Sequence, residues 1–263
     1  MRALMVLCML APLFPSLSHA GLPPAQLETV AVQVPEDASL PLSMRFEGTD
    51  GRTRTLANIL GKRPALLILT DYTCSNLCGP TVTMAVAGLA ATGLVPGRDF
   101  RLLMVGLDPR DGPEAASAMR ASHLDPDSEM ARASHFLMAS AESIEQVTHR
   151  LGYRFVYDRA RDQFAHPGVA FVIDRNGRLV RVLSALALDA GDLRLAMVDA
   201  GRGAVGTAFD QIRLRCFGFD PARGIYTASI ALILTYSGAL TVGALAAAIA
   251  GMLLVSRRQR APR

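Results

Sequence analysis

Two uninterrupted apolar runs constrain this chain most. Pro64 to Thr70 (PALLILT) and Phe100 to Leu107 (FRLLMVGL) are of strand length, and neither alternates polar with apolar residues. A strand with one wet face alternates; one covered on both faces does not. The runs therefore predict central strands of a sheet with helices on both sides. Residues 43–205 continue that pattern. Met44-Arg45-Phe46 and Thr53-Arg54-Thr55 flank Asp50-Gly51, a hairpin turn signal. A helix of small and apolar residues runs to about Thr92, Pro113 opens another to about His123, and Ser140 caps one ending near Leu151-Gly152. Phe136-Leu137-Met138 is a short strand. Val169 to Asp174 and Leu179 to Leu183 form an antiparallel pair across Arg175-Asn176-Gly177, and a last helix covers Asp189 to Ala200. The fold class is mixed α/β, a sheet flanked by helices.

Both ends fall outside that domain. Residues 1–20 combine Arg2, a short apolar run broken by prolines, and Ser18-His19-Ala20 before Gly21, the pattern of a cleaved signal peptide. Residues 21–42 are Pro-rich and read as a linker or extended arm. After a juxtamembrane segment, 206–224, Ile225 to Val255 carries no charge and exceeds the ~20 residues needed to cross a bilayer, so it reads as a transmembrane helix. Arg257, Arg258, Arg260 and Arg263 form a basic tail, 256–263, which the positive-inside tendency puts in the cytoplasm. The expected arrangement is single-pass in the inner (plasma) membrane, with the main domain on the periplasmic side.

Charge then excludes one class of function. The net +4 includes Arg2 and the four tail arginines; without these five, 22 basic residues face 23 acidic ones. The exported domain is close to neutral, and nucleic-acid binding finds no support.

Of four cysteines, Cys8 leaves with the signal peptide, and the odd remainder in an oxidising compartment flags a functional thiol. Cys74 and Cys78 lie where the first buried strand hands over to a helix. If the first helical turn includes both, they share one face, and the helix N-terminus favours thiolate. A structural disulfide is the competing reading, although closing so short a loop removes little unfolded-state entropy. His166 precedes the strand Val169 to Asp174 and would lie beside the cysteine loop if the two strands are neighbours. Two thiolates select Cu(I), and an added imidazole makes a set that also holds Cu(II), whereas closed zinc sites usually want a fourth ligand. His123, Asp125, Asp127 and His135 read as a solvated polar stretch, and His149 as a helix C-terminal cation. Cys216 has no role that the sequence assigns.

These residues resemble the Sco/SenC family, copper-binding assembly factors of cytochrome c oxidase. The resemblance covers roughly Leu42 to Ala200. It rests on Tyr72-Thr73-Cys74 with the CxxxC spacing, on Asp108-Pro109-Arg110-Asp111-Gly112-Pro113, and on His166 ahead of Phe171-Val172-Ile173-Asp174-Arg175-Asn176-Gly177. It implies a thioredoxin-like fold and a copper site of Cys74, Cys78 and His166, with the copper-bearing subunit of cytochrome c oxidase as partner. Three departures stand out. Ser75 and Asn76 replace the usual proline and acidic residue of the loop, Gly79 replaces the proline after the second cysteine, and the anchor is C-terminal.

Two functions follow. In one, the protein carries copper and passes it on by ligand exchange. In the other it is a thiol–disulfide oxidoreductase, with Cys74 attacking, Cys78 resolving and His166 tuning the pair.

Overall fold

The computed structural model describes residues 22, 24–74, 78–185, 188–201, 217–220, 225–228, 238–246 and 248–252. A short helix α1 (Pro24–Leu27) and strand β1 (Ala31–Val32) precede the hairpin of β2 (Arg45–Gly48) and β3 (Thr53–Thr55), which runs into α2 (Leu56–Leu60). Next come β4 (Ala65–Thr70), α3 (Cys78–Ala90), β5 (Arg101–Gly106), α4 (Pro113–His123), α5 (Glu129–Ala133), β6 (Ser134–Met138) and α6 (Ala141–Arg150). Strands β7 (Tyr153–Arg154), β8 (Val156–Asp158), β9 (Gln163–Ala165), β10 (Val169–Ile173) and β11 (Leu179–Ser184) lead to α7 (Ala190–Ala200), followed by β12 (Phe217–Asp220) and β13 (Ile225–Ala228).

Seven strands form the central sheet in the order β11-β10-β4-β5-β6-β2-β3. β4, β5 and β6 run parallel, and β10 and β2 flank them antiparallel. All six residues of β4 are buried, as its uninterrupted apolar run predicts. Its side chains still divide by parity. Leu66 and Ile68 pack with α3, α4 and α7, whereas Ala65, Leu67 and Leu69 pack with α2 and α6. The result is a three-layer α/β/α domain, the mixed sheet flanked by helices that the sequence predicts.

The local signals explain the boundaries. Pro113 occupies the first turn of α4, and the Ser140 side chain accepts from Ser143 N–H at the start of α6. Asp189 caps α7 by accepting from the N–H groups of Gly191 and Asp192. Gly177, in the β10–β11 turn, has φ 79°, and a Cβ there would sit 2.3 Å from the carbonyl oxygen of Leu40. Glycine is needed on both counts.

The stretch expected as a linker or extended arm runs along the domain as an arm: β1 pairs with β7, Leu40 N–H donates to Gly177 O at 2.8 Å, and Leu40 is 1% exposed. Apolar residues spaced among prolines let an extended arm be held by backbone bonds without regular structure. At the other end, Ile225–Ala228 does not open a helix. These β-branched and aromatic residues pair with Phe217–Asp220 as an antiparallel hairpin. Helix follows at 238–246 and 248–252. No helix among the described residues is long and apolar enough to cross a membrane. The signal peptide, Cys216, the tail and the remainder of 225–255 lie outside the described residues.

Candidate metal centre

The cysteine loop and His166 are brought to the same end of the sheet by strand order. β10 is antiparallel to β4, with Ala170 opposite Ile68, so the loop before β10 lies beside the end of β4. That end is where the sheet's strand order switches direction, the usual place for a site in an open α/β sheet. The cysteine loop leaves β4 there, and His166 enters from β9.

The loop is pinned before it reaches the cysteines. Asp71 is 1% exposed, and its Oδ1 accepts from Thr73 N–H at 2.9 Å and Thr73 Oγ1 at 2.8 Å. Tyr72 inserts between β5 and β6. Its phenol oxygen lies 2.8 Å from Met104 O and 3.0 Å from Leu137 O, and accepts from Leu137 N–H at 2.8 Å. Burial raises its pKa strongly. A Cβ on Gly106 would come within 2.9 Å of the Tyr72 ring, so this glycine makes room for the anchor.

Among the described residues helix α3 starts at Cys78, and Cys74 lies in a turn closed by its N–H to Asp71 O at 3.2 Å. The first helical turn expected to hold both cysteines includes 75–77, which lie outside the described residues. Neither cysteine is in a disulfide. Cys78 is buried and Cys74 half-buried.

His166 Nε2 lies 3.4 Å from Cys78 Sγ. Its other nitrogen, Nδ1, is 2.8 Å from the Tyr153 hydroxyl and 3.2 Å from Pro167 O, and the same hydroxyl donates to Pro167 O at 3.0 Å. With the phenol proton given to the carbonyl, this network assigns the imidazole proton to Nδ1 and leaves the Nε2 lone pair facing the sulfur. Burial lowers the His166 pKa, partly offset by Pro167 O and by Asp71, which favours the neutral ring. Tyr153 is 3% exposed, and burial raises its pKa, with the Cys78 charge adding to the shift. Tyr153 was not legible as a site residue, because the short strand that carries it has no motif around it.

Cys74, Cys78 and His166 line one cleft of about 470 Å³, with Pro80, Met84 and Phe164 as its apolar walls. Its donors among the described residues are two sulfurs and an imidazole, a soft set that suits copper, whereas a closed zinc site takes four ligands. Among the described residues, no three His, Cys, Asp or Glu side chains are already spaced to hold a metal ion.

No protein-family model and no curated protein matches the sequence. Solved structures do match it. An Aquifex aeolicus protein assigned to electron transfer is 18% identical, covering 66% of this chain and 97% of its own, with a TM-score of 0.56. An SCO1/SenC family lipoprotein of Bacillus anthracis is 18% identical, covering 65% and 99%, with a TM-score of 0.51. Arabidopsis thaliana ScoI, solved with copper bound, is 17% identical, covering 63% and 98%, with a TM-score of 0.51. The fold is that of the Sco proteins.

One departure from the Sco pattern gains a physical reason. A Cβ at Gly79 would lie 3.3 Å from Cε1 and Nε2 of His123, whose Nδ1 is 3.0 Å from Thr83 Oγ1. Glycine after the second cysteine lets this ring lie against α3. His123 is thus half-buried rather than part of a solvated stretch. His135 is half-buried too, within β6, and burial together with nearby arginines pushes its pKa down to about 4. His149 lies exposed in the last turn of α6, as its placement predicts.

Proposed function

We propose that this protein is a membrane-tethered copper chaperone of the Sco/SenC type. Cys74, Cys78 and His166 hold the copper, and it is delivered to the copper-bearing subunit of cytochrome c oxidase. The observation that carries the reading is the Cys78 Sγ to His166 Nε2 contact at 3.4 Å, with Nδ1 engaged by Tyr153 so that a lone pair is left toward the thiol. Copper as cargo rests on the soft donor set and on the copper bound by the Sco protein that shares the fold. Cys74, half-buried in the same cleft, is the third donor of the set.

The tether is inferred from the charge-free stretch 225–255 and from exposed Leu240, Val242, Leu245, Ile249 and Met252. A signal peptide at 1–20 puts the domain on the periplasmic side, with the tail in the cytoplasm. Metal analysis of the full chain, reduced and anaerobic, tests the carrier reading: a single copper per chain is expected, lost in Cys74→Ser. A reduced wild-type chain that takes up no copper would refute it.

A second reading is favoured by the unequal exposure of the cysteines. Half-buried Cys74 is placed to attack a partner disulfide and buried Cys78 to resolve the mixed disulfide. The His166→Ala variant separates the two. A carrier loses copper binding while thiol exchange persists; an oxidoreductase without a copper role shows unchanged copper binding.

A further inference from the structure

The Asp108–Pro113 loop joins both halves of the site. Asp108, 6% exposed, accepts from Arg110 N–H at 2.8 Å and from Arg110 Nε at 2.9 Å, which turns the Arg110 side chain outward. There the guanidinium donates to Asp162 at 2.6 Å and lies 5.2 Å from the centre of the Tyr157 ring. Tyr157 also hydrogen-bonds Asp162. Both partners belong to the β8–β9 hairpin, whose two strands pair, among the described residues, only with each other. Asp162 has φ 49°, a left-handed turn residue, and stands four positions before His166. From the same loop, Asp111 Oδ2 accepts from Tyr72 N–H at 3.2 Å, two positions before Cys74.

We infer that this loop is a brace: Arg110 holds the hairpin that bears His166, and Asp111 holds the turn that bears Cys74. Arg110 and Asp162 are thus positioning residues, acting through His166 and never touching the bound metal. Aromatic rings carry the constraint along the hairpin. Tyr157 and Phe164 are 5.0 Å apart, Phe164 and Phe155 5.6 Å, and Tyr153 stands 6.4 Å from Phe155 and 6.3 Å from His166. A hairpin outside the main sheet opens more easily than the sheet melts, so a surface ion pair too weak to matter for global stability can still set how often it opens.

The inference rests on the proposed copper site for its consequence but not for its test. In the metal-free, reduced full chain, alkylation of Cys78 located by mass spectrometry reports how often His166 lifts from it. Arg110→Ala and Asp162→Asn, both at exposed positions, are expected to speed Cys78 alkylation several-fold and hydrogen exchange across 156–165, with the melting temperature nearly unchanged. Arg110→Lys, which keeps the charge, should restore part of the protection. On copper loading, both variants should lose affinity roughly ten-fold, the size expected when a group supporting a ligand is removed. Wild-type alkylation and exchange rates in both variants would overturn the brace, whatever copper does. A wild-type chain that binds no copper yet shows the faster alkylation in the variants would instead refute the copper reading and leave the brace standing.

Discussion

At the scale of single residues, the site depends on groups that hold its ligands as much as on the ligands. Tyr153→Phe removes the hydroxyl between His166 Nδ1 and Pro167 O and frees the ring to turn. Copper affinity measured by competition with a chelator should fall about ten-fold, with at most ~1–2 kcal/mol lost in a denaturation titration. Gly106→Ala would push a methyl to within 2.9 Å of the Tyr72 ring. The overpacking should cost about 1–3 kcal/mol in the same titration. Asp111 offers a pH test. Burial first, then repulsion from Asp71 and Asp108, raises its pKa from 3.8 to about 6. The folded state therefore keeps a proton that the unfolded chain releases, and stability falls as pH rises from 3.8 to 6. Asp111→Asn, which still accepts from Tyr72 N–H, should melt a few degrees above wild type at pH 7, with that gain vanishing below pH 3.8. Because Asp111 is only partly buried, the gain should be no more than about 1 kcal/mol.

At the scale of elements, what could be read in advance depended on whether the signal was local. β4 and β5 were legible because a double-covered strand has an unmistakable composition, and α4, α6 and α7 because Pro113, Ser140 and Asp189 mark their starts. The β10–β11 hairpin was legible from Asn176-Gly177. The β8–β9 hairpin was not. Its strands are three residues each, and its turn is held by Arg110 from fifty residues away, a partner that no local pattern announces. Tyr72 was legible only as part of a motif; its place between β5 and β6 is a matter of tertiary packing. The pairing of Cys78 with His166 was foreseeable to the extent that β4 and β10 were expected to be neighbours.

At the scale of the whole molecule, the α/β/α domain accounts for the placement of the thiols, and the proposed tether is a separate question. If 225–255 anchors the chain, a protein truncated after Arg223 should be released by an alkaline carbonate wash, while the full chain stays with the membrane. Release of both would remove the tether from the account. The central claim is narrower: one imidazole and two thiols share a copper ion. X-ray absorption at the copper edge of the copper-loaded, reduced full chain reads those donors directly. Two sulfurs and one nitrogen are predicted, with the nitrogen lost in His166→Ala. A sulfur-only shell that is the same in both proteins would contradict it.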